Sequence, residues 1–141
     1  MPSQLTKNDL QIMAESKLAD SGFLFANNRV SNAYYLGGYA IELALKACIA
    51  KQMEAGVIPD RQLILDTYTH EYMKLIGVAG LKFELNEKLN KDQGFSESWA
   101  IVQQWNPDAR YRQTDKMIAQ YFLSAISDPT HGVFTWIKSY W

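Results

Sequence analysis

Residues 31–52 read SNAYYLGGYAIELALKACIAKQ, and this stretch decides the fold. At about 100° per residue on a helical projection, Ala33, Leu36, Gly37, Ala40, Ile41, Ala44, Ala47 and Cys48 fill one broad apolar arc. Leu43, Leu45 and Ile49 widen it further. A helix apolar over so much of its circumference must be covered on most sides, so it belongs at the centre of a bundle. Gly37 and Gly38 each cost about 1 kcal/mol relative to alanine inside a helix. Close approach by a neighbouring helix is the expected compensation.

Working outward, Thr6 is placed to cap a first helix, with Asp9 completing a capping box. Leu10, Met13, Leu18 and Phe25 carry that helix to the Asn27-Asn28 turn. Ser31 or Asn32 then opens the central helix, which ends before Gly56-Val57-Ile58-Pro59. Residues 56–66 read as a connection broken by Pro59-Asp60. Thr69 is the expected N-cap of a short helix from His70 to Val78, stopped by Gly80. Another short helix is expected from Leu81 to Asn90, and Ser96 is read as the cap of the one bearing Trp99, Val102 and Trp105. Asn106-Pro107 ends it. Thr114 or Asp115 starts a helix with Ile118, Tyr121, Phe122 and Ala125 on one face. Asp128-Pro129 reads as the start of a last helix or of a kinked continuation. No stretch alternates with period two long enough to be a strand. The expectation is an all-α antiparallel bundle of about five to six helices, one domain over residues 1–141.

The bulk composition narrows the function classes. The chain is 48% hydrophobic and carries 14 Lys+Arg against 15 Asp+Glu, so it lacks the strongly basic balance of a dedicated nucleic-acid binder. A single cysteine, Cys48, excludes an internal disulfide and a multi-cysteine zinc site. The start of the chain does not read as a signal peptide, and no apolar run approaches the roughly 20 residues of a membrane span. A cytoplasmic protein with no membrane association is expected.

Chemistry-bearing residues gather at three places. Tyr35, Tyr39, Glu42 and Lys46 fall within roughly 60° of one another on the central helix, a narrow polar stripe fit to hold a nucleotide or to order a partner. The plainer reading is a Glu42–Lys46 (i, i+4) pair flanked by amphipathic tyrosines. His70 follows a cap and suits acid–base or phosphate contact, or simple local packing. Arg110-Tyr111-Arg112 combines two guanidiniums with a ring, as phosphate and base contacts require; alternatively, its arginines pair with Asp108 and Asp115. His131 reads as structural, Cys48 as a buried small hydrophobe. The two histidines, Glu71 and Cys48 lack zinc-ligand spacing, so neither a metal nor another cofactor is expected.

The run from Tyr34 through Tyr39 into Glu42, Lys46 and Ala47 resembles the signature helix of HEPN domains, an aromatic–small–apolar lead into a Glu–x–x–(Leu/Ala)–Lys–Ala ending. Thr69-His70 before an apolar helix, and Arg110-Tyr111 before a long C-terminal helix, follow that family's order over roughly residues 10–137. The resemblance implies a helical bundle that commonly forms homodimers. It also implies association with nucleotides or RNA, often beside a nucleotidyltransferase partner or in toxin–antitoxin systems. Active ribonucleases of the family carry an arginine, then about four to six intervening residues, then a histidine. Here the window after Arg110 and Arg112, from Asp115 to Ala119, holds no histidine. Histidine is the expected general acid or base near neutral pH. The resemblance therefore implies a non-catalytic binding domain with Tyr35, Tyr39, Glu42, Lys46, His70, Arg110, Tyr111 and Arg112 around its site. The alternatives are a divergent ribonuclease using Arg110 and His70, and a purely structural dimerisation module.

Overall fold

The computed structural model describes residues 5–53, 58 and 61–141. These form an all-α bundle of eight α-helices and one short 3-10 helix, with no strand among the described residues. Helix α1 (Lys7–Ala26) begins at the Thr6 cap, where Thr6 Oγ1 accepts from Asp9 N at 3.1 Å and the Asp9 carboxylate accepts from Thr6 N at 3.0 Å. The chain reverses through Asn28, whose φ of 62° is the left-handed geometry that asparagine tolerates. Helix α2 (Val30–Gln52) returns along α1.

Helix α2 is the centre of the molecule, packing against α1, α4 (Tyr72–Val78), α7 (Lys116–Ser127), α8 (Val133–Lys138) and the 3-10 helix (Pro107–Tyr111). Ile41, Leu45 and Ile49 are fully enclosed, each contributing about 1.5–3 kcal/mol of burial. The glycine pair is compensated in two different ways. At Gly37 a Cβ would meet the ends of Leu123, Ser21 and Ile126 at 3.0, 3.1 and 3.3 Å, so that face touches α7 and α1. At Gly38 it would overlap the Trp105 indole. Only a hydrogen atom leaves room for that ring.

Several element boundaries differ from the sequence reading. Helix α3 (Arg61–Thr67) occupies part of the stretch read as a connection; Pro59-Asp60 lies outside the described residues. Helix α2 begins at Val30 rather than after Ser31, because the Ser31 hydroxyl accepts from Thr114 N (2.8 Å) and ties the helix to the segment before α7. Helix α4 begins at Tyr72, so His70 precedes it instead of lying in its first turn. Thr69 Oγ1 accepts from Glu71 N at 3.2 Å, closing a local turn rather than capping the helix. Asp128 likewise closes a turn, accepting from Thr130 N and His131 N, and α8 starts five residues later at Val133 as a separate helix. The count of eight exceeds five to six because α3 lies in a stretch read as a connection and α8 is separate rather than a continuation of α7.

Helix α6 (Gln93–Val102) follows α5 (Lys82–Lys91) and is capped by Asp92, not Ser96. The Asp92 carboxylate accepts from Phe95 N at 3.0 Å, pairs with Lys88 at 2.9 Å and lies 2.7 Å from His131 Nδ1. These contacts, the Phe95 N–H foremost, hold its pKa well below the ordinary 3.8. The folded carboxyl thus takes up its proton at lower pH than the unfolded one. Its stabilisation is complete above the ordinary carboxylate range and is lost as pH falls through the folded value. The stability gap between wild type and Asp92→Asn, read from melts, should be widest near neutrality. It should narrow steadily below about pH 4; a gap that does not change with pH contradicts this role.

Candidate functional site

The candidate site is built on the outward side of the middle of α2. Glu42 sits inside the bundle, with its side chain only 1% exposed. A carboxylate so placed must be compensated by close opposite charge or donors. Two groups do this. Lys46 Nζ, one turn along α2, lies 3.0 Å from Oε2. His70, brought in by the segment before α4, places Nδ1 2.7 Å from Oε1. The polar stripe read from the sequence is therefore not a solvated face at Glu42: the carboxylate is buried and shared.

This arrangement orients His70. With Nδ1 engaged by the carboxylate, Nε2 faces the other way on the ring, and it has no partner among the described residues. The His70 side chain is 49% exposed. Tyr39 flanks it, ring centroids 6.5 Å apart, and burial, then the Glu42 charge, pushes the Tyr39 hydroxyl pKa up. Beneath lies an aromatic layer. Tyr72 stacks on Trp105 (5.7 Å, 11° between planes) and its hydroxyl donates to the Gly38 carbonyl at 2.8 Å. Burial, reinforced by Glu42, keeps that phenol protonated far above its ordinary range. Trp105 is 4% exposed, and its enclosed Nε1–H has no acceptor among the described residues.

Arg110 joins this group through tyrosines rather than by touching Glu42 or His70. Its guanidinium lies 4.8 Å from the Tyr111 ring centroid, and the nearby hydroxyls of Tyr111, foremost, and of Tyr35 raise its pKa. Tyr35 in turn packs on Tyr39 (5.8 Å) and Trp105 (6.1 Å). The alternative pairing of the arginines with Asp108 and Asp115 does not occur among the described residues: Arg112 donates to Asn106 Oδ1 at 3.4 Å. Arg112 also lines a separate 230 Å³ cavity with Tyr34 and Asp115.

Of the sequence-selected residues, Tyr35, Tyr39, Glu42, His70 and Arg110 form one connected set, with Tyr111 at its exposed edge. Lys46 shares Glu42 but lines a different, mostly apolar cavity of 360 Å³ with Ile49, Ile64 and Tyr68. The sequence offers no site role for Tyr72 or Trp105, and marks Gly38 only as a point of close approach, because their importance lies in a contact between distant segments. Cys48 is buried, and burial raises its thiol pKa to about 11, so it is a poor nucleophile. No group of three or more metal-ligating side chains is gathered among the described residues, and no helix there is long and apolar enough to cross a membrane. Comparison with known protein families, curated proteins and solved structures finds no match to this chain.

Proposed function

We propose that this chain is a HEPN-type accessory domain that holds a phosphate-bearing ligand, a nucleotide or RNA, beside His70 and Arg110 without cleaving it. One observation carries this reading: a buried carboxylate, Glu42, fixes His70 by Nδ1 and leaves Nε2 free, while Tyr39 and Tyr35 connect that imidazole to Arg110. Lys46 already balances the Glu42 charge. Arg110, and His70 when protonated, therefore add uncompensated positive charge in a chain whose formal net charge is −1. Guanidinium and imidazolium donors at a partly exposed surface suit phosphate oxygens. The lack of histidine from Asp115 to Ala119 favours binding without hydrolysis. The outward face of α7, with Met117, Ile118 and Tyr121 all exposed, suits a second copy or a nucleotidyltransferase partner, as the family resemblance implies.

The Glu42–His70 pair also favours a second reading, a divergent ribonuclease. A histidine oriented by a carboxylate is a competent general base. Incubation of the purified chain with end-labelled RNA separates the two. The expected result is retention of intact RNA, with binding weakened about tenfold or more in Arg110→Ala. Cleavage lost in both Arg110→Ala and His70→Ala overturns binding without cleavage in favour of the enzyme. Absence of any RNA or nucleotide binding leaves the structural module.

A further inference from the structure

A 250 Å³ cavity opens beside the exposed edge of His70, lined by His70, Tyr72, Met73, Gln103, Trp105 and Pro107, with Asn106 at its rim. We propose that this cavity receives the base of a bound nucleotide whose phosphate lies against Arg110; the inference rests on the ligand class proposed above and assigns it a second contact.

Four features of the cavity point to a flat, hydrogen-bonding ring. Its volume is below the roughly 300–1,000 Å³ of sites for drug-sized molecules, so it suits a single heterocycle. Its walls are largely apolar: Met73, Pro107 and the small exposed parts of the Tyr72–Trp105 stack. Its polar groups are uncommitted. The Gln103 amide and His70 Nε2 have no partners among the described residues, and Asn106 uses only its Oδ1, accepting from Asp108 N and Arg112, which leaves Nδ2 free. Its charge is already balanced, because Glu71 on the same wall pairs with Lys74 at 3.4 Å. Such a mixture of idle amide donors and acceptors reads the edge of a base.

The geometry also links the two subsites. Pro107 and Arg110 stand three residues apart in the 3-10 helix, and side chains at that spacing eclipse one another. The guanidinium therefore rises from the same side of the helix as the cavity wall. Tyr35, whose hydroxyl helps raise the Arg110 pKa, packs on the Trp105 that lines the cavity. A ligand with its ring in the cavity has its sugar passing His70 and its phosphate within the Arg110 region.

Titration calorimetry of the full chain with the four ribonucleoside 5′-monophosphates and with ribose 5-phosphate tests this. At least one nucleotide should bind about tenfold or more tighter than ribose 5-phosphate. Met73→Trp, at a position 45% exposed and so tolerant of bulk, should fill the cavity and abolish that excess while sparing ribose 5-phosphate. Gln103→Ala should weaken the preferred nucleotide about three- to tenfold, and Arg110→Ala should weaken nucleotide and sugar phosphate alike. Equal binding of nucleotides and ribose 5-phosphate, or a nucleotide affinity untouched by Met73→Trp, overturns the base subsite and leaves the phosphate site standing. Absence of binding by all five ligands also overturns the subsite. The RNA titration proposed above then decides the broader reading independently.

Discussion

Gly38→Ala should destabilise the protein by about 1–3 kcal/mol, although helix propensity alone favours the substitution by about 1 kcal/mol. The reversal of sign comes from one contact. A methyl group at residue 38 would occupy the space of the Trp105 indole. That ring cannot retreat easily, because it is stacked on Tyr72 and packed on Tyr35. Displacing it also disturbs the hydrogen bond from the Tyr72 hydroxyl to the Gly38 carbonyl. Gly37→Ala provides the internal comparison. Its added methyl meets only side-chain ends at 3.0–3.3 Å, which shift by tenths of an ångström, so propensity and crowding nearly cancel. Urea denaturation reads both variants, with the midpoint lowered for residue 38 at an unchanged slope. A Gly38→Ala protein as stable as wild type contradicts the packing described.

Glu42→Ala is the second large effect, an expected loss of about 2–4 kcal/mol in the same measurement. Removing the carboxylate leaves the Lys46 ammonium and the His70 ring without their shared partner and opens a void in the packed centre of α2. The loss stays below the top of the range for breaking buried ion pairs, because Lys46 and His70 are 17% and 49% exposed and regain water. Glu42→Gln keeps the volume and one acceptor and should cost about 1–2 kcal/mol. A double-mutant cycle with His70→Ala should return a coupling of about 0.5–2 kcal/mol. Additivity within error excludes the Glu42–His70 interaction as a contributor.

The fold was legible in the sequence wherever one helix carried its own signal. The breadth of the apolar arc of α2 placed it at the centre, and the Thr6–Asp9 box marked the start of α1. Legibility ended where two local signals competed. Asp92 and Ser96 are both good caps, and the choice of Asp92 is supported by Lys88 and by His131, 39 residues away. Helix α3 was missed because the Pro59-Asp60 breaker outweighed a seven-residue segment with no buried residue. At the candidate site, the stripe spacing groups Tyr35, Tyr39, Glu42 and Lys46; the structure keeps the first three together, while Lys46 also lines another cavity. The spacing could not reveal that Glu42 is buried, since burial there depends on a histidine 28 positions onward. The Trp105–Gly38 contact had no sequence signature beyond a glycine where alanine is the better helix former.

The shared site around His70 and Arg110 is tested most directly by NMR of the full chain, with the His70 imidazole and Arg110 guanidinium nitrogens observed during titration with a short RNA. The expected result is that both sets of resonances shift together and saturate at the same RNA concentration, while the RNA stays intact. Shifts confined to other residues, or none at all, would contradict a shared site, and degradation of the RNA would contradict binding without cleavage.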